Sequence, residues 1–414
     1  MRRSYWLLLA LALVLAPLPL ACGRRESSLE RELQGIARER LAQPTSGPPR
    51  SFEMGFGAIP PALTDASYLD TFRSIGRDAD LVLIQRTPPW SEFVPSGKIS
   101  AATRTNTDGE VRIIHALDLN LLYAIDPTDA ADRGRLAQLP FELQGRTFAD
   151  PAIREAFIAY AQYVAENYHP RYLALGVEVN LGSERNPDDY QSWLSCYREA
   201  YAAVKRVSPS TLVFPTFQWE GLQGLLPGQT RGPIRWELVD AYRPEIDAIA
   251  ISTFPSLAFH GAAEIPADYY APLARYQGDL PIIFAAVGYA TGVAPQGSPS
   301  EGEQAQQRVL ELILDSADTL AARAVVWFTY QDPTYTRTPP FDVFQTIGLW
   351  RADGAPKPAW NGWRAAFRRP YRPDIGPQTP TATPVASSTP TAAASASPST
   401  TPTPAATPTP TPPR

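Results

Sequence analysis

Short apolar runs recur through the middle of the chain, and helix-length stretches separate them. In order, the runs are Ser51–Ala58, Asp80–Gln85, Val111–Leu117, Tyr172–Val179, Thr211–Phe217, Ala248–Thr253, Pro281–Val287 and Ala324–Thr329. Apolar residues within these runs follow one another with little alternation, which is typical of strands covered on both faces. We therefore interpret the eight runs as eight buried strands.

The stretches between the runs carry helix signals. Asp150 and Asn186 are each followed by a proline, which is the usual beginning of a helix. Ile153 and Phe157 then lie on one helical face, and a further helix is predicted over Glu301–Leu320. Alternating strands and helices predict a parallel sheet.

Eight such repeats predict that the sheet closes into a (β/α)8 TIM barrel, a single-domain α/β fold with disordered termini. A doubly wound open sheet is the alternative. The sequence has no glycine-rich phosphate loop after any predicted strand, which disfavours that alternative.

The N-terminus has the pattern of an export signal. Arg2 and Arg3 precede an apolar stretch from Trp6 to Leu15, which is too short to span a bilayer. A small residue before Cys22 predicts a lipoprotein-type signal peptide over residues 1–22 with lipid attached to Cys22, and ordinary cleavage after Gly23 is the alternative. We expect an exported cell-membrane lipoprotein that faces outside the cytoplasm, since several acyl chains give a stable anchor.

Composition divides the rest of the chain. Residues 23–50 are polar and are predicted to form a linker with one helix over Leu29–Leu41, and residues 370–414 are a tail rich in Thr, Pro, Ala and Ser. Such a tail has too little apolar surface to fold and is predicted to be disordered. Residues 51–369 remain for the barrel, and about 320 residues suit one such domain.

Charge and metal-ligand counts exclude several partners. The formal net charge is −5, which argues against nucleic acid as a partner. Three histidines lie far apart in the sequence, so no metal site or other cofactor is expected. Cys196 has no partner if Cys22 is lipidated, so no disulfide is expected. We expect a monomer.

Barrel active sites lie where the strands end, so the residues after each run are the candidate ligand contacts. Aromatic rings there can stack on the C–H faces of a sugar, while carboxylates and amides bind its hydroxyls. For any one aromatic residue, simple packing at the end of the barrel is the alternative. The candidates are Trp90, Glu178, Asn180, Gln218, Trp219, Glu220, Phe254, Tyr289, Trp327 and Tyr330.

Three segments carry a family resemblance. The segment from Gly176 to Asn180, the segment Pro281–Thr291 and the closing stretch Gly348–Trp360 resemble those of retaining clan-A glycoside hydrolase barrels, and are similar to those of arabinogalactan endo-β-1,4-galactanases. The resemblance implies that Glu178 is the acid/base residue and that the ligand is a polysaccharide or oligosaccharide. It also implies that Ala286 occupies the position of the nucleophilic glutamate.

Val177 likewise stands where the family has a sugar-binding asparagine. Retaining hydrolysis needs two carboxyl groups about 5–5.5 Å apart, and alanine cannot attack the sugar. Three hypotheses follow. The protein binds glycans without cleaving them, or it hydrolyses them with Glu220 or Asp332 as a substitute carboxylate, or the barrel is a non-catalytic surface scaffold.

Overall fold

The computed structural model describes residues 23–94, 100–292, 299–336 and 341–378. Within these ranges, nine strands pair in parallel in one sheet, in the order β5-β4-β3-β2-β1-β9-β8-β7-β6. The strands are β1 (Glu53–Gly57), β2 (Leu81–Arg86), β3 (Asn120–Ile125), β4 (Tyr172–Leu175), β5 (Leu212–Phe214), β6 (Thr216–Gln218), β7 (Ile249–Thr253), β8 (Ile282–Val287) and β9 (Ala324–Trp327).

The strands β5 and β6 are two halves of one predicted run. Pro215 separates them, and proline has no N–H to donate within a ladder. The first half pairs with β4 and the second with β7, and the Thr216 N–H donates to the Gly176 carbonyl at 3.1 Å. The sheet therefore closes almost completely around eight strand positions, and the predicted (β/α)8 TIM barrel is confirmed.

Helices alternate with the strands around the outside of the barrel. The helices are α1 (Gly23–Leu41), α2 (Asp65–Asp78), α3 (Trp90–Phe93), α4 (Ala101–Ala116), α5 (Pro151–Tyr168), α6 (Val179–Arg185), α7 (Pro187–Val207), α8 (Trp219–Leu222), α9 (Glu237–Asp240), α10 (Ala271–Tyr276), α11 (Pro299–Thr319) and α12 (Ala359–Phe367). The predicted caps are confirmed, because the Asp150 side chain accepts from the Ala152 N–H and that of Asn186 from the Asp189 N–H.

The third strand lies later in the sequence than predicted. The run Val111–Leu117 is not a strand, because it forms the end of α4 and the turn after it. Its buried residues Val111, Ile114 and Leu117 are three apart and share one helical face. A short apolar run does not distinguish a buried helix turn from a strand, and β3 begins only at Asn120.

The described residues before and after the barrel pack against it. Leu33 and Ile36 of α1 are buried, and the Arg40 guanidinium donates to the carbonyls of Gly76 and Leu117 at 3.0 Å. These are carbonyls at the ends of α2 and α4 that helix geometry leaves without partners. After the barrel, the Arg372 N–H donates to the Arg50 carbonyl at 2.8 Å.

A small antiparallel hairpin follows β3 at the carboxyl end of the barrel. Its strands are Thr128–Asp129 and Asp132–Leu136, and the second of them contacts α6. The hairpin matters for the site because it carries Arg133. None of the helices in the described residues is both long enough and apolar enough to cross a membrane.

Candidate functional site

A cavity of about 150 Å³ lies inside the carboxyl ends of the barrel strands. Apolar side chains form most of its wall, and a smaller set of polar side chains forms the rest. The apolar group includes Ile59, Leu83, Leu122, Val177, Phe254, Ala286, Phe328 and Phe344, and the polar group is Gln85, Arg133, Glu178, Thr216, Ser252, Thr329 and Thr336.

Glu178 reaches the cavity through an unusual backbone turn. The chain leaves β4 at Gly176, whose φ of +91° favours glycine, and a Cβ there would lie 2.6 Å from the Trp193 ring. Glu178 itself has φ 52° and ψ 41°, the left-handed region that non-glycine residues seldom occupy. Its N–H donates to Thr216 Oγ1 at 3.0 Å, so a contact with the adjoining strand β6 helps to hold this strained residue in place.

The Glu178 carboxylate has a partner on each oxygen. Arg133 Nη2 donates to Oε2 at 2.9 Å, and the Ser252 hydroxyl donates to Oε1 at 2.8 Å. The Glu178 side chain is 15 % exposed and that of Arg133 is 8 % exposed. The pair is therefore largely removed from water, where a hydrogen-bonded ion pair is costly to break.

Arg133 lies between two carboxylates. Its Nη1 donates to both oxygens of Asp126 at 2.8 Å, while its other nitrogens bond Glu178. Burial alone would lower the pKa of Arg133, but the two carboxylates raise it overall, so the guanidinium stays charged. Burial raises the pKa of Asp126, and Arg133 partly offsets that effect.

Ala286 lies on the wall beside Ser252. The two residues are paired in the register between β7 and β8, and both line the cavity. Neighbouring strands lie about 4.8 Å apart, so the Ala286 methyl group is one strand away from the hydroxyl that binds Glu178. A longer side chain at position 286 would extend into the same cavity.

Of the candidates chosen from the sequence, Glu178 and Phe254 line this cavity. Asn180 is fully buried, and its side-chain amide accepts from the Gln218 N–H at 2.8 Å and donates to the Gln218 carbonyl at 3.1 Å. Trp219 is also fully buried, and its ring packs against Trp236. These residues hold α6 and α8 together behind the cavity wall.

The other aromatic candidates also lie outside the cavity lining, although the sequence predicts them as ligand contacts. Trp90 Nε1 donates to the Ala137 carbonyl and Trp327 Nε1 to the Ile347 carbonyl, each at 2.8 Å. Both rings are buried. A buried indole needs such a partner, and these bonds orient the two rings into the packing of the loops.

Tyr289 and Tyr330 are buried among neighbouring loops in the same way. The Tyr289 carbonyl accepts from Gln306 Nε2 at 2.9 Å, and the Tyr330 hydroxyl donates to Asp78 Oδ2 at 3.3 Å. The Tyr330 ring packs edge-on against Phe56 of β1. Burial raises the pKa of both phenols.

Glu220 is a fully buried carboxylate with four donors. Gln218 Nε2 and the Thr253 hydroxyl each donate to it at 2.6 Å, and the Phe254 N–H and the Tyr269 hydroxyl donate at 3.1 Å. Burial raises the pKa of Glu220, and the hydrogen bonds oppose that shift. The carboxylate does not line the cavity.

Asp332 is likewise outside the cavity lining. Lys357 Nζ donates to its Oδ1 at 2.8 Å, and the Gly348 N–H donates to the same oxygen at 2.8 Å. The Lys357 side chain is only 1 % exposed. Burial raises the pKa of Asp332 to about 6, even though Lys357 pulls it down.

Sequence reasoning missed several polar residues of the site. Asp126 and Arg133 follow β3, and misplacing that strand removed its end from consideration. Ser252 and Thr329 stand at strand ends, so the rule that selected Glu178 could also have selected them. Thr336 has no comparable signal in the sequence.

The sequence matches no known family and no curated protein. Its fold is similar to solved barrels. An exo-beta-1,4-mannosidase from Opitutaceae bacterium strain TAV5 superposes with a TM-score of 0.57 at 15% identity, over 79% of this chain. The chain spans 61% of the length of that mannosidase.

For two further structures, the match covers a larger share of the neighbour's own length. Xylanase 10B from Thermotoga petrophila RKU-1, in complex with xylobiose, gives a TM-score of 0.57 at 13% identity, over 81% of this chain and 96% of the xylanase. A GH5_18 protein from Bifidobacterium longum subsp. longum ATCC 55813, in complex with Manb1-4GlcNAc, gives a TM-score of 0.57 at 14% identity. The match covers 78% of this chain and 80% of the GH5_18 chain.

The three neighbours are a mannosidase, a xylanase and a GH5_18 protein. At such identities the likeness is one of fold. The chain therefore has the barrel fold of these proteins.

Proposed function

We propose that this protein binds a polysaccharide or oligosaccharide without hydrolysing it by the retaining mechanism, on a barrel derived from a glycoside hydrolase. The observation that carries the proposal is the pairing of Ala286 with Ser252, whose hydroxyl binds Glu178. Among the described residues that line the cavity, Glu178 is the only one with a carboxylate. A retaining site needs a second one close by.

Glu178 is suited to binding a sugar. An ionised carboxylate accepts strong hydrogen bonds from hydroxyl groups, and its partly exposed side chain remains within reach of a ligand in the cavity. Phe254 offers an apolar face nearby. One polar acceptor beside an apolar wall suits a sugar ring, which has hydroxyls at its edge and C–H groups on its faces.

The alternative of a working hydrolase with a substitute carboxylate is less well supported. Glu220 already accepts four hydrogen bonds, and Asp332 is committed to Lys357. To act as the nucleophile or base, either would have to leave these partners and enter the cavity. Breaking such a buried network costs several kcal/mol.

The proposal includes export and a lipid anchor on Cys22, with the barrel outside the cytoplasm and residues 370–414 as a spacer. Cys22 lies outside the described residues. We also propose that the protein acts as a monomer.

The test is a glycan-array binding screen together with hydrolysis assays on β-galactans and β-glucans. We expect binding without hydrolysis, and Glu178→Gln should weaken binding about tenfold or more because a charged acceptor is lost. Glu199→Gln is the matched control, since Glu199 is 54 % exposed and pairs with Arg154 between α5 and α7. Strong wild-type hydrolysis would favour the substitute-carboxylate hypothesis, and absence of binding would favour the scaffold.

A further inference from the structure

Two threonines in the cavity wall lack hydrogen-bond partners. Thr329 is fully buried just after β9, and Thr336 is 2 % exposed in the following loop. Both line the cavity, and neither Oγ1 has a partner among the described residues. A buried hydroxyl without a partner is costly, so an unsatisfied pair in one wall needs an explanation.

A ligand in the cavity would supply those partners. The hydroxyl and methyl groups of threonine exchange places when χ1 moves between staggered positions, so each hydroxyl can turn toward the cavity. Glu178 and Ser252 form another polar part of the same wall. A ligand with hydroxyls on several sides would satisfy both polar parts at once.

The remaining wall is aromatic and apolar. The rings of Phe254, Phe328 and Phe344 pack against one another with centroids 5.3–5.6 Å apart, and all three line the cavity. Phenylalanine offers a ring face and no polar group. The ligand must therefore combine hydroxyls with an apolar face, as a sugar ring does.

The charges around the cavity exclude an anionic ligand. Arg133 is the only cation among the described residues of the lining, and it is already committed to Asp126 and Glu178. The three groups together carry one net negative charge when ionised. A sugar carboxylate would meet repulsion without a free cation to pair with.

The size of the cavity limits how much of a glycan enters. A volume of about 150 Å³ corresponds to about ten to fifteen water-sized positions, which suits one monosaccharide unit. We propose that the cavity selects a single uncharged sugar unit and that Thr329 and Thr336 are its specificity-determining hydroxyls. This inference rests on the proposed carbohydrate-binding function and narrows its ligand class.

The test measures affinity and stability on the same variants of the full chain. The ligands are methyl glycosides of glucose, galactose, mannose and xylose, together with glucuronic and galacturonic acids. Thr329→Val and Thr336→Val keep the side-chain shape and remove the hydroxyl. Each should weaken binding of the best neutral glycoside about 5- to 50-fold. The melting temperature should stay the same or rise, because an unsatisfied buried group is removed.

Thr211→Val is the matched control. Thr211 is equally buried, but its hydroxyl donates to the Pro170 carbonyl at 2.8 Å near the beginning of β5, away from the cavity. This variant should lower the melting temperature and leave glycoside affinity unchanged. The cavity variants should therefore lose affinity and keep their stability, whereas Thr211→Val should lose stability and keep its affinity. This contrast would distinguish hydroxyls that contact the ligand from hydroxyls that stabilise the fold.

The outcomes separate this inference from the proposed function. If the wild type binds glycans but the cavity variants bind equally well or better, the threonine assignment is wrong and the proposed function stands. If it binds long glycans and no monosaccharide glycoside, or binds a uronic acid as well as its neutral counterpart, the selection of a single uncharged unit is wrong. Absence of all glycan binding would overturn both.

Discussion

Ala286 is paired with Ser252 across β7 and β8, and the Ser252 hydroxyl donates to Glu178 at 2.8 Å. A methyl group therefore occupies the cavity wall beside the serine that binds Glu178, where we propose that the second carboxylate of a retaining pair is missing. Replacing Ala286 is therefore the most direct test of the proposed loss of catalysis.

Replacing Ala286 by glutamate should create retaining hydrolysis. The new carboxylate would extend into the cavity that Glu178 lines, and the retaining mechanism uses two carboxyl groups about 5–5.5 Å apart. We expect Ala286→Glu to hydrolyse dinitrophenyl glycosides, whose leaving group needs little protonation, at least about 100-fold faster than wild type. Ala286→Gln has the same shape without a nucleophile and should remain inactive.

Val177→Asn should increase the activity of the Ala286→Glu variant. Val177 lines the cavity beside Glu178, and an asparagine there could donate to a sugar hydroxyl. Such a bond near a charged centre is worth about 1–3 kcal/mol, or roughly 5- to 150-fold in rate. Steady-state kinetics of the single and double variants would measure this, and equal rates would contradict a sugar contact at position 177.

Replacing Arg133 by methionine should destabilise the barrel. The change leaves Asp126 and Glu178 without their common cation in a largely buried site, which costs about 3–5 kcal/mol. Urea denaturation would measure the free energy of unfolding. Adding Glu178→Gln to Arg133→Met should recover part of the loss, and strictly additive effects would argue against coupling between the two residues.

Lys357→Met should make stability depend on pH through Asp332. The pKa of Asp332 is about 6 with Lys357 present, and removing that cation raises it further. Because this folded-state pKa exceeds the unfolded value of about 3.9, protonation favours the folded state. The variant should thus be most stable below about pH 4 and lose stability as the pH rises through the folded-state pKa.

Chemical denaturation of Lys357→Met between pH 4 and 8 would measure this loss, which we expect to reach about 3–5 kcal/mol relative to wild type at the upper end. The double variant Asp332→Asn/Lys357→Met has no titrating carboxyl at this position. It should lack the additional pH dependence. A similar dependence in both variants would assign the effect to another group.

Cys22→Ala should release the protein from membranes. The predicted lipid on Cys22 is the proposed anchor, so removing the acceptor thiol should move the protein from the membrane fraction to the soluble fraction. Cys196→Ala is the control, because Cys196 is buried in α7 and burial raises its thiol pKa to about 12. Unchanged partitioning of Cys22→Ala would contradict lipid anchoring at this residue.

Local patterns in the sequence determined the barrel. Apolar runs of strand length and the caps at Asp150 and Asn186 depend on neighbouring residues, so they can be recognised without tertiary contacts. The rule that sites lie at the carboxyl ends of strands led to Glu178 and Phe254, which both line the cavity. The resemblance to glycoside hydrolases drew attention to Ala286.

Tertiary structure alone decided which polar groups meet. Arg133 and Ser252 bind Glu178 although they lie 45 and 74 residues from it in the sequence, and no local pattern encodes such pairings. The direction of a side chain after a strand also depends on the following turn, because a shift of one residue reverses the face it occupies. Trp219 and Glu220 begin α8, and this helical turn directs both side chains into the packing, whereas Ser252 and Ala286 lie within strands and line the cavity.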